Sequence, residues 1–180
     1  MNVLAICGSL RAQSLNAAVL RAAVQTAPPH WHVTVEPALS RLPYFNADVE
    51  QAALPPEVAD FRAHAAAADG LIIAGPEYVH GMSGVLKNAL EWLVGGGELT
   101  LKPVALITVS PAMTGGSRAQ AWTRETLQVM GAHVLEDGLR VPGAVPKIVD
   151  GRLTDAATSA RLGKLLDQLD AAMAAPMISE

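Results

Sequence analysis

Three continuously apolar tetrapeptides, Val3-Leu4-Ala5-Ile6, Leu71-Ile72-Ile73-Ala74 and Val104-Ala105-Leu106-Ile107, constrain this chain more than any other feature. No polar residue interrupts them. Strands of that kind are buried on both faces, which is the situation in a parallel sheet covered by helices on both sides. Each run sits in a larger alternation: Asn2 to Cys7 precedes a helix-like Leu15 to Thr26, His32 to Glu36 precedes Val58 to Ala68, and Gly70 to Ala74 precedes Val85 to Val94. Pro103 to Val109 then leads to Gly116 to Met130, and His133 to Val141 to Ala156 to Ala174. Strand and helix in regular alternation specify a doubly wound α/β sheet. Asp69-Gly70, Gly95-Gly96-Gly97 and Met130-Gly131 stand where successive helices should end.

The chain has 180 residues, the length of one domain, read as 1–175 with 176–180 a frayed tail. With 51% hydrophobic and 17% charged residues it is too apolar to stay disordered. A net charge of -4 and no Lys/Arg cluster argue against nucleic acid as a partner. No apolar stretch reaches bilayer length and no basic leader opens the chain, so a cytoplasmic protein without a membrane span is expected. Cys7 is the only cysteine, which excludes an internal disulfide and a multi-cysteine metal site and reads as a buried core thiol. The longest irregular stretch, Pro37 to Pro56, carries four prolines and the aromatics Tyr44 and Phe45. A loop of that length is often functional.

Ligands of open α/β sheets bind beyond the carboxyl ends of the strands, so the loops after the first, third and fourth strands matter most. The first, Gly8-Ser9-Leu10-Arg11-Ala12-Gln13-Ser14-Leu15-Asn16, opens directly into a helix. Backbone N–H groups at a helix start favour an anion, and Ser9, Ser14, Asn16 and the guanidinium of Arg11 add donors suited to phosphate. The plainer alternative makes Ser14 a helix cap and Arg11 a solvated loop residue. Known phosphate loops of other kinds are excluded: no Gly-Lys-Ser/Thr, no third glycine, Gln13 where a cysteine phosphatase needs arginine, and Cys7 where a receiver domain needs an acid.

The loop after strand three reads "GPEYVHGMSGVLKNALEW", Gly75 to Trp92. Its glycines permit close turns, and backbone groups with the Tyr78 ring would line a planar pocket, Glu77 supplying main-chain polar groups or a structural hydrogen bond. An ordinary strand-to-helix turn with a core tyrosine is the alternative. His80 has no second ligand at metal spacing, so no metal site and no catalytic side chain is assigned. The loop after strand four, Val109 to Ala119, offers Ser110, Thr114, Gly115, Gly116 and Ser117 at the same rim.

Taken together, "GSLRAQSLN", "GPEYVHGMSGVLKNALEW" and "LKPVALITVSPAMTGGSRAQ" resemble the NADPH-dependent FMN reductase family, as does the linker "LPYFNADVEQ". The resemblance implies a flavodoxin-like three-layer sandwich with a five-stranded parallel sheet of order 2-1-3-4-5 and FMN across its carboxyl edge. The family's phosphate motif falls on Ser9, Leu10, Arg11, Ser14, Leu15 and Asn16. Its isoalloxazine loop falls on Pro76, Glu77, Tyr78, Val79, His80 and Gly81, and its outer contacts on Ser110 and Ser117. Two positions depart from the pattern: Val79 where the family usually has Asn, and Ser83 where it often has Pro.

The activity implied is transfer of electrons from NADPH or NADH through FMN to a small-molecule acceptor, a quinone, flavin, azo compound or metal oxyanion, in ping-pong order. A non-enzymatic FMN electron carrier or regulator on the same fold is the alternative. Members commonly form homodimers or homotetramers, and Trp92, Tyr44 and Phe45 are candidates for either an interface or the core.

Overall fold

The computed structural model describes residues 1–37 and 39–175; the tail expected at 176–180 lies outside them. The apolar runs become β1 (Asn2–Cys7), β3 (Gly70–Gly75) and β6 (Pro103–Val109), side by side and parallel at the centre of the sheet. β2 (His32–Val35) pairs with β1 on one side. On the other side β6 pairs with β7 (His133–Val134) and β8 (Leu139–Val141), so the flavodoxin-like order 2-1-3-4-5 holds, with β7 and β8 together forming the fifth strand.

Side chains of a strand alternate between faces, and the two core clusters divide accordingly. Val3, Ala5, Ile72, Ala105 and Ile107 pack beneath α1 (Leu15–Gln25) and α6 (Ala156–Ala174). Leu4, Ile6, Leu71, Ile73, Val104 and Leu106 pack against α3 (Pro56–Ala67), α4 (Gly84–Glu91) and α5 (Ser117–Val129). Full burial of one such side chain contributes about 1.5–3 kcal/mol, and both faces of each central strand collect it.

The helix starts follow from their caps. Ser14, in extended conformation, accepts a hydrogen bond from the Ala17 N–H at 3.1 Å and starts α1. Asp155 accepts from the backbone and hydroxyl of Thr158 at 2.8 and 2.6 Å and starts α6. The Thr158 hydroxyl, then its N–H, holds the Asp155 carboxyl below the ordinary carboxylate range. Pro56 stands at the first position of α3, where its missing N–H is no loss.

Three expectations need correction. The expected strand from His133 to Val141 is broken: Pro103 pairs with His133 and Ile107 with Leu139, so 135–138 loop out. The Arg124 guanidinium donates to the carbonyls of Leu135 and Glu136 at 2.7 and 3.0 Å, satisfying main-chain groups the sheet does not. The expected helix to Val94 stops at Glu91 and gives way to turns, with Leu101 at φ 61°. The linker from Pro37 to Pro56 holds a 3₁₀ turn at Leu39–Arg41 and a short α2 (Ala47–Ala52), capped by Asn46 accepting from Asp48 N–H. Unforeseen is the hairpin of β9 (Ile148–Val149) and β10 (Arg152–Leu153), turning through Asp150 and Gly151 at φ 48° and 72°.

Candidate functional site

Because Cys7, Ala74 and Ile107 are level in register, the loops that follow β1, β3 and β6 emerge at one edge. Three cross-links fasten them together. Asn16, buried in α1, donates its amide to the Val109 carbonyl at 3.1 Å and accepts from the Val109 N–H at 3.0 Å, locking the first loop to the fourth-strand loop. Ser83, also buried, donates to the Gly8 carbonyl at 2.6 Å, locking the first loop to the start of α4. Glu77 Oε2 accepts from the Arg118 and Ala119 N–H groups at 2.9 and 3.1 Å. It thereby caps α5, whose own cap residue Gly116 (φ 80°) has no side chain to do so.

Within this frame the first loop carries a run of main-chain donors. Among the described residues, no group accepts a hydrogen bond from the N–H of any residue from Ser9 to Asn16. Donors left unpaired at a helix start, with the positive end of its dipole behind them, form an anion cradle. Leu10 and Arg11 are exposed on it and Leu15 is partly buried behind it. Ser14 uses its oxygen for the helix cap, and its hydroxyl also faces the Cys7 thiol. The Asn16 side chain has a structural role beside the expected one: its amide oxygen and one N–H are taken by Val109, which leaves the second N–H of the amide for a ligand.

Cys7 also differs from its expected full burial. It is partly buried at the foot of the loop, its thiol donating to the Ser9 carbonyl at 3.7 Å. Burial pushes its pKa up, which keeps it a thiol near neutrality.

The third-strand loop is a hairpin. Pro76 is buried, and β4 (Glu77–Tyr78) and β5 (Gly81–Met82) pair around Val79 and His80, both left-handed at φ 50° and 64°. Positive φ at both central residues defines a type I′ turn, in which Asn and Gly are at ease and a β-branched residue is strained. That is a backbone reason for the family's Asn at the position of Val79, whose side chain here is 100% exposed and touches no core. His80 is largely exposed, its Nδ1 3.6 Å from Glu77 Oε1. Gly81 lies against the Trp122 indole: a Cβ there would come within 2.4 Å of the ring.

On the outer side, Ser110 accepts from the Ala112 N–H at 3.1 Å and is partly exposed, while Ser117 opens α5. Thr108 donates to the Gly115 carbonyl at 2.8 Å, and a Cβ on Gly116 would come within 2.9 Å of Thr108, so the turn there requires glycine.

A cavity of about 730 Å³ opens beside the cradle. Leu10, Arg11 and Tyr78 line it, together with Leu39, Ser40, Leu42, Pro43 and Tyr44 of the linker and the start of α4. Sequence reasoning missed the linker's part, because its fold depends on distant groups. Asn88 and Trp92 both donate to the Pro43 carbonyl at 2.9 Å, and Asn88 Oδ1 accepts from Phe45 N–H at 2.8 Å. Trp92 is fully buried and meets Phe45 edge-on at 5.0 Å, which places it in the core; Tyr44 is 92% exposed. Among the described residues no cluster of His, Cys, Asp or Glu could hold a metal ion, and no helix is long and apolar enough to cross a membrane.

Comparison with known proteins agrees with this architecture. The family model described as NADPH-dependent FMN reductase matches residues 1–144. An NAD(P)H-dependent FMN reductase of Pseudomonas aeruginosa is 39% identical over 137 residues, 75% of this chain and 74% of the relative. A quinone reductase of Escherichia coli is 32% identical over 174 residues, 95% and 93% of the two chains. Among solved structures, the flavoenzyme NAD(P)H:(acceptor) oxidoreductase FerB of Paracoccus denitrificans superposes with a TM-score of 0.86 at 25% identity, covering 96% of each chain. A flavodoxin of Pseudomonas aeruginosa, at 13% identity and a TM-score of 0.61, shares the fold alone. The matched segment contains the cradle, the hairpin and the Ser110 to Ser117 loop, and the chain belongs to the NADPH-dependent FMN reductase family.

Proposed function

We propose that this protein is an FMN-dependent oxidoreductase that takes reducing equivalents from NADPH or NADH and passes them to small-molecule acceptors such as quinones, flavins, azo compounds or metal oxyanions. The observation that carries the reading is the run of unpaired N–H groups from Ser9 to Asn16 at the start of α1, with the exposed Arg11 on it. A phosphate monoester fits this donor set: it offers several acceptor oxygens and negative charge, and Arg11 and the Ser9 and Ser14 hydroxyls add to the main-chain donors. A cradle built for a dinucleotide would need glycine two residues after Gly8, for the backbone to approach a pyrophosphate, and again three residues later, for the helix to pack on the strand, and Leu10 and Gln13 stand there instead.

Pro76, Glu77, Tyr78, Val79, His80 and Gly81 would present their main chain to the flavin ring, with Ser110 and Ser117 at its outer edge and Leu10 and Leu15 packing beside the phosphate. When bound, FMN supplies the hydride and electron chemistry. The residues named would hold the group at the carboxyl edge of the sheet, and Glu77 fixes the separation between the hairpin and α5. No side-chain acid or base is assigned. Donor and acceptor that bind in turn, never together, give ping-pong order. A homodimer or homotetramer working in the cytoplasm completes the reading.

The test is steady-state oxidation of NADPH by the FMN-loaded protein with menadione as acceptor. Parallel lines in double-reciprocal plots are expected. Absence of turnover would leave a flavin carrier, and failure to retain FMN would refute the flavin reading altogether.

A further inference from the structure

We propose that the recess between the linker and α4 is the binding site for a flat, uncharged aromatic acceptor, with Tyr44 as the residue that stacks on it. The inference rests on the reductase reading above and adds to it where one class of acceptor binds and the residue that selects it.

Tyr44 is 92% exposed, an exposure that is unremarkable on a loose loop. Here the main chain on both sides of it is fixed. The Pro43 carbonyl accepts from Asn88 and from the indole of the fully buried Trp92, and the Phe45 N–H donates to the same Asn88. Phe45 is held in turn by its edge-on contact with Trp92. An aromatic ring is therefore carried on a rigid mount at the lip of a cavity of about 730 Å³. Such a mount lowers the ordering cost of binding, as a mobile loop would not.

The lining indicates what enters. Beyond the cradle the walls are Leu39, Leu42, Pro43 and Val85, with Tyr44 and the half-exposed Tyr78 at the rim. Among the described residues lining the cavity, Arg11 alone is charged, and it stands at the phosphate end. Asn88 spends its amide oxygen and one N–H on Phe45 and Pro43, so its second N–H and the hydroxyl of the exposed Ser40 are the side-chain polar groups left to meet a ligand. An apolar recess with an aromatic rim and one hydroxyl suits a ring bearing a carbonyl, as in a quinone. Away from Arg11, which stands at the phosphate end, it does not suit the phosphate-bearing adenosine end of a pyridine nucleotide or a metal oxyanion, since no other cation lines it.

The test compares Tyr44→Ala and Tyr44→Phe with the parent protein, all loaded with FMN. Menadione is titrated into the oxidised proteins by calorimetry, and KM is measured for menadione, ferricyanide and NADPH. Loss of ring stacking is expected to raise both the Kd and the KM for menadione roughly three- to ten-fold in Tyr44→Ala. Tyr44→Phe should restore both to within about twofold, and the constants for ferricyanide, a compact anion that does not stack, and for NADPH should not move. Unchanged menadione affinity would overturn the proposal, as would an equal loss with ferricyanide. A rise confined to NADPH would assign the recess to the nucleotide, and a change in oligomeric mass in Tyr44→Ala would make Tyr44 a subunit contact; either overturns it. Failure of the parent protein to oxidise NADPH with any acceptor would instead refute the reductase reading, while the calorimetry still reports whether the recess takes the ring.

Discussion

Replacing Val79 by Asn should make this protein more stable, although the side chain touches nothing. Val79 has φ 50° and is followed by His80 at φ 64°, so both central residues of the turn between β4 and β5 are left-handed. That conformation places Cβ against the following carbonyl and costs about 1–2 kcal/mol for an L-residue, most for a β-branched one. The valine side chain is 100% exposed, so no packing is lost on removing it. Asn tolerates the conformation, and recovering about 1 kcal/mol should raise the midpoint of thermal unfolding by roughly 2–4 °C in a domain of this size. Gly at the same position relieves the strain but gains freedom in the unfolded chain, worth about 0.5–1 kcal/mol in the opposite sense, so its net gain should be smaller. Calorimetry and urea unfolding provide the assay, with an unchanged m-value showing that the effect lies in stability. FMN affinity measured on the same variants separates two accounts of the family's Asn. A backbone role leaves affinity within about twofold, whereas a new amide contact to the ring would tighten it about fivefold. A Val79→Asn protein that is no more stable than its parent would refute the strain argument.

Other outcomes follow from single contacts. Asn16→Ala strands both main-chain groups of Val109 in a buried position, and at about 1–3 kcal/mol for each unsatisfied group it should be among the most destabilising polar substitutions, as read from denaturant midpoints. Glu77→Ala uncaps α5 and should cost about 1–2 kcal/mol, with Gln recovering part of it; equal loss in both would show that the contact is not the cap. Gly81→Ala drives a methyl into Trp122 and should cost about 1–3 kcal/mol, most of it relieved in the double variant with Trp122→Ala, a coupling that a double-mutant cycle measures. The Trp31 indole N–H, then His30, hold the Asp170 carboxyl below its ordinary range. A depressed carboxylate contributes stability that is full above the unfolded pKa of about 3.9 and is lost as pH falls through the lower folded value. The melting-temperature deficit of Asp170→Asn should thus be present at neutral pH and shrink in strong acid; a deficit independent of pH would contradict this.

What was legible in the sequence was whatever is local. The apolar runs of β1, β3 and β6 named the buried strands, and their order of appearance placed three loops on one rim. The cap role of Ser14, the plainer alternative for that loop, was legible because its partner Ala17 lies three residues on. What escaped depends on contacts between residues far apart in the chain. The tie between the Asn16 amide and Val109, 93 residues away, left no sign in the local sequence. The linker from Pro37 to Pro56 looked irregular because the groups that order it, Asn88 and Trp92, belong to α4 and the turn that follows it. The break in the fifth strand has a local sign in Asp137-Gly138, yet the Arg124 side chain that makes it tolerable comes from α5. Val79 shows the reverse case: the sequence marks it only as a departure from the family pattern, and the turn geometry gives that departure a backbone consequence, a left-handed φ at a β-branched residue.

The measurement that tests the central claim most directly is a fluorescence titration of the flavin-free protein with FMN and, in parallel, with riboflavin, which carries the same ring without the phosphate. A cradle of main-chain donors and Arg11 predicts stoichiometric quenching by one FMN per chain, with riboflavin bound at least a hundredfold more weakly, on the order of 3 kcal/mol for a set of charge-assisted hydrogen bonds. Arg11→Ala should lose part of that preference. Equal affinity for the two flavins, or no quenching by either, would contradict the assignment of the Ser9 to Asn16 loop as the phosphate site.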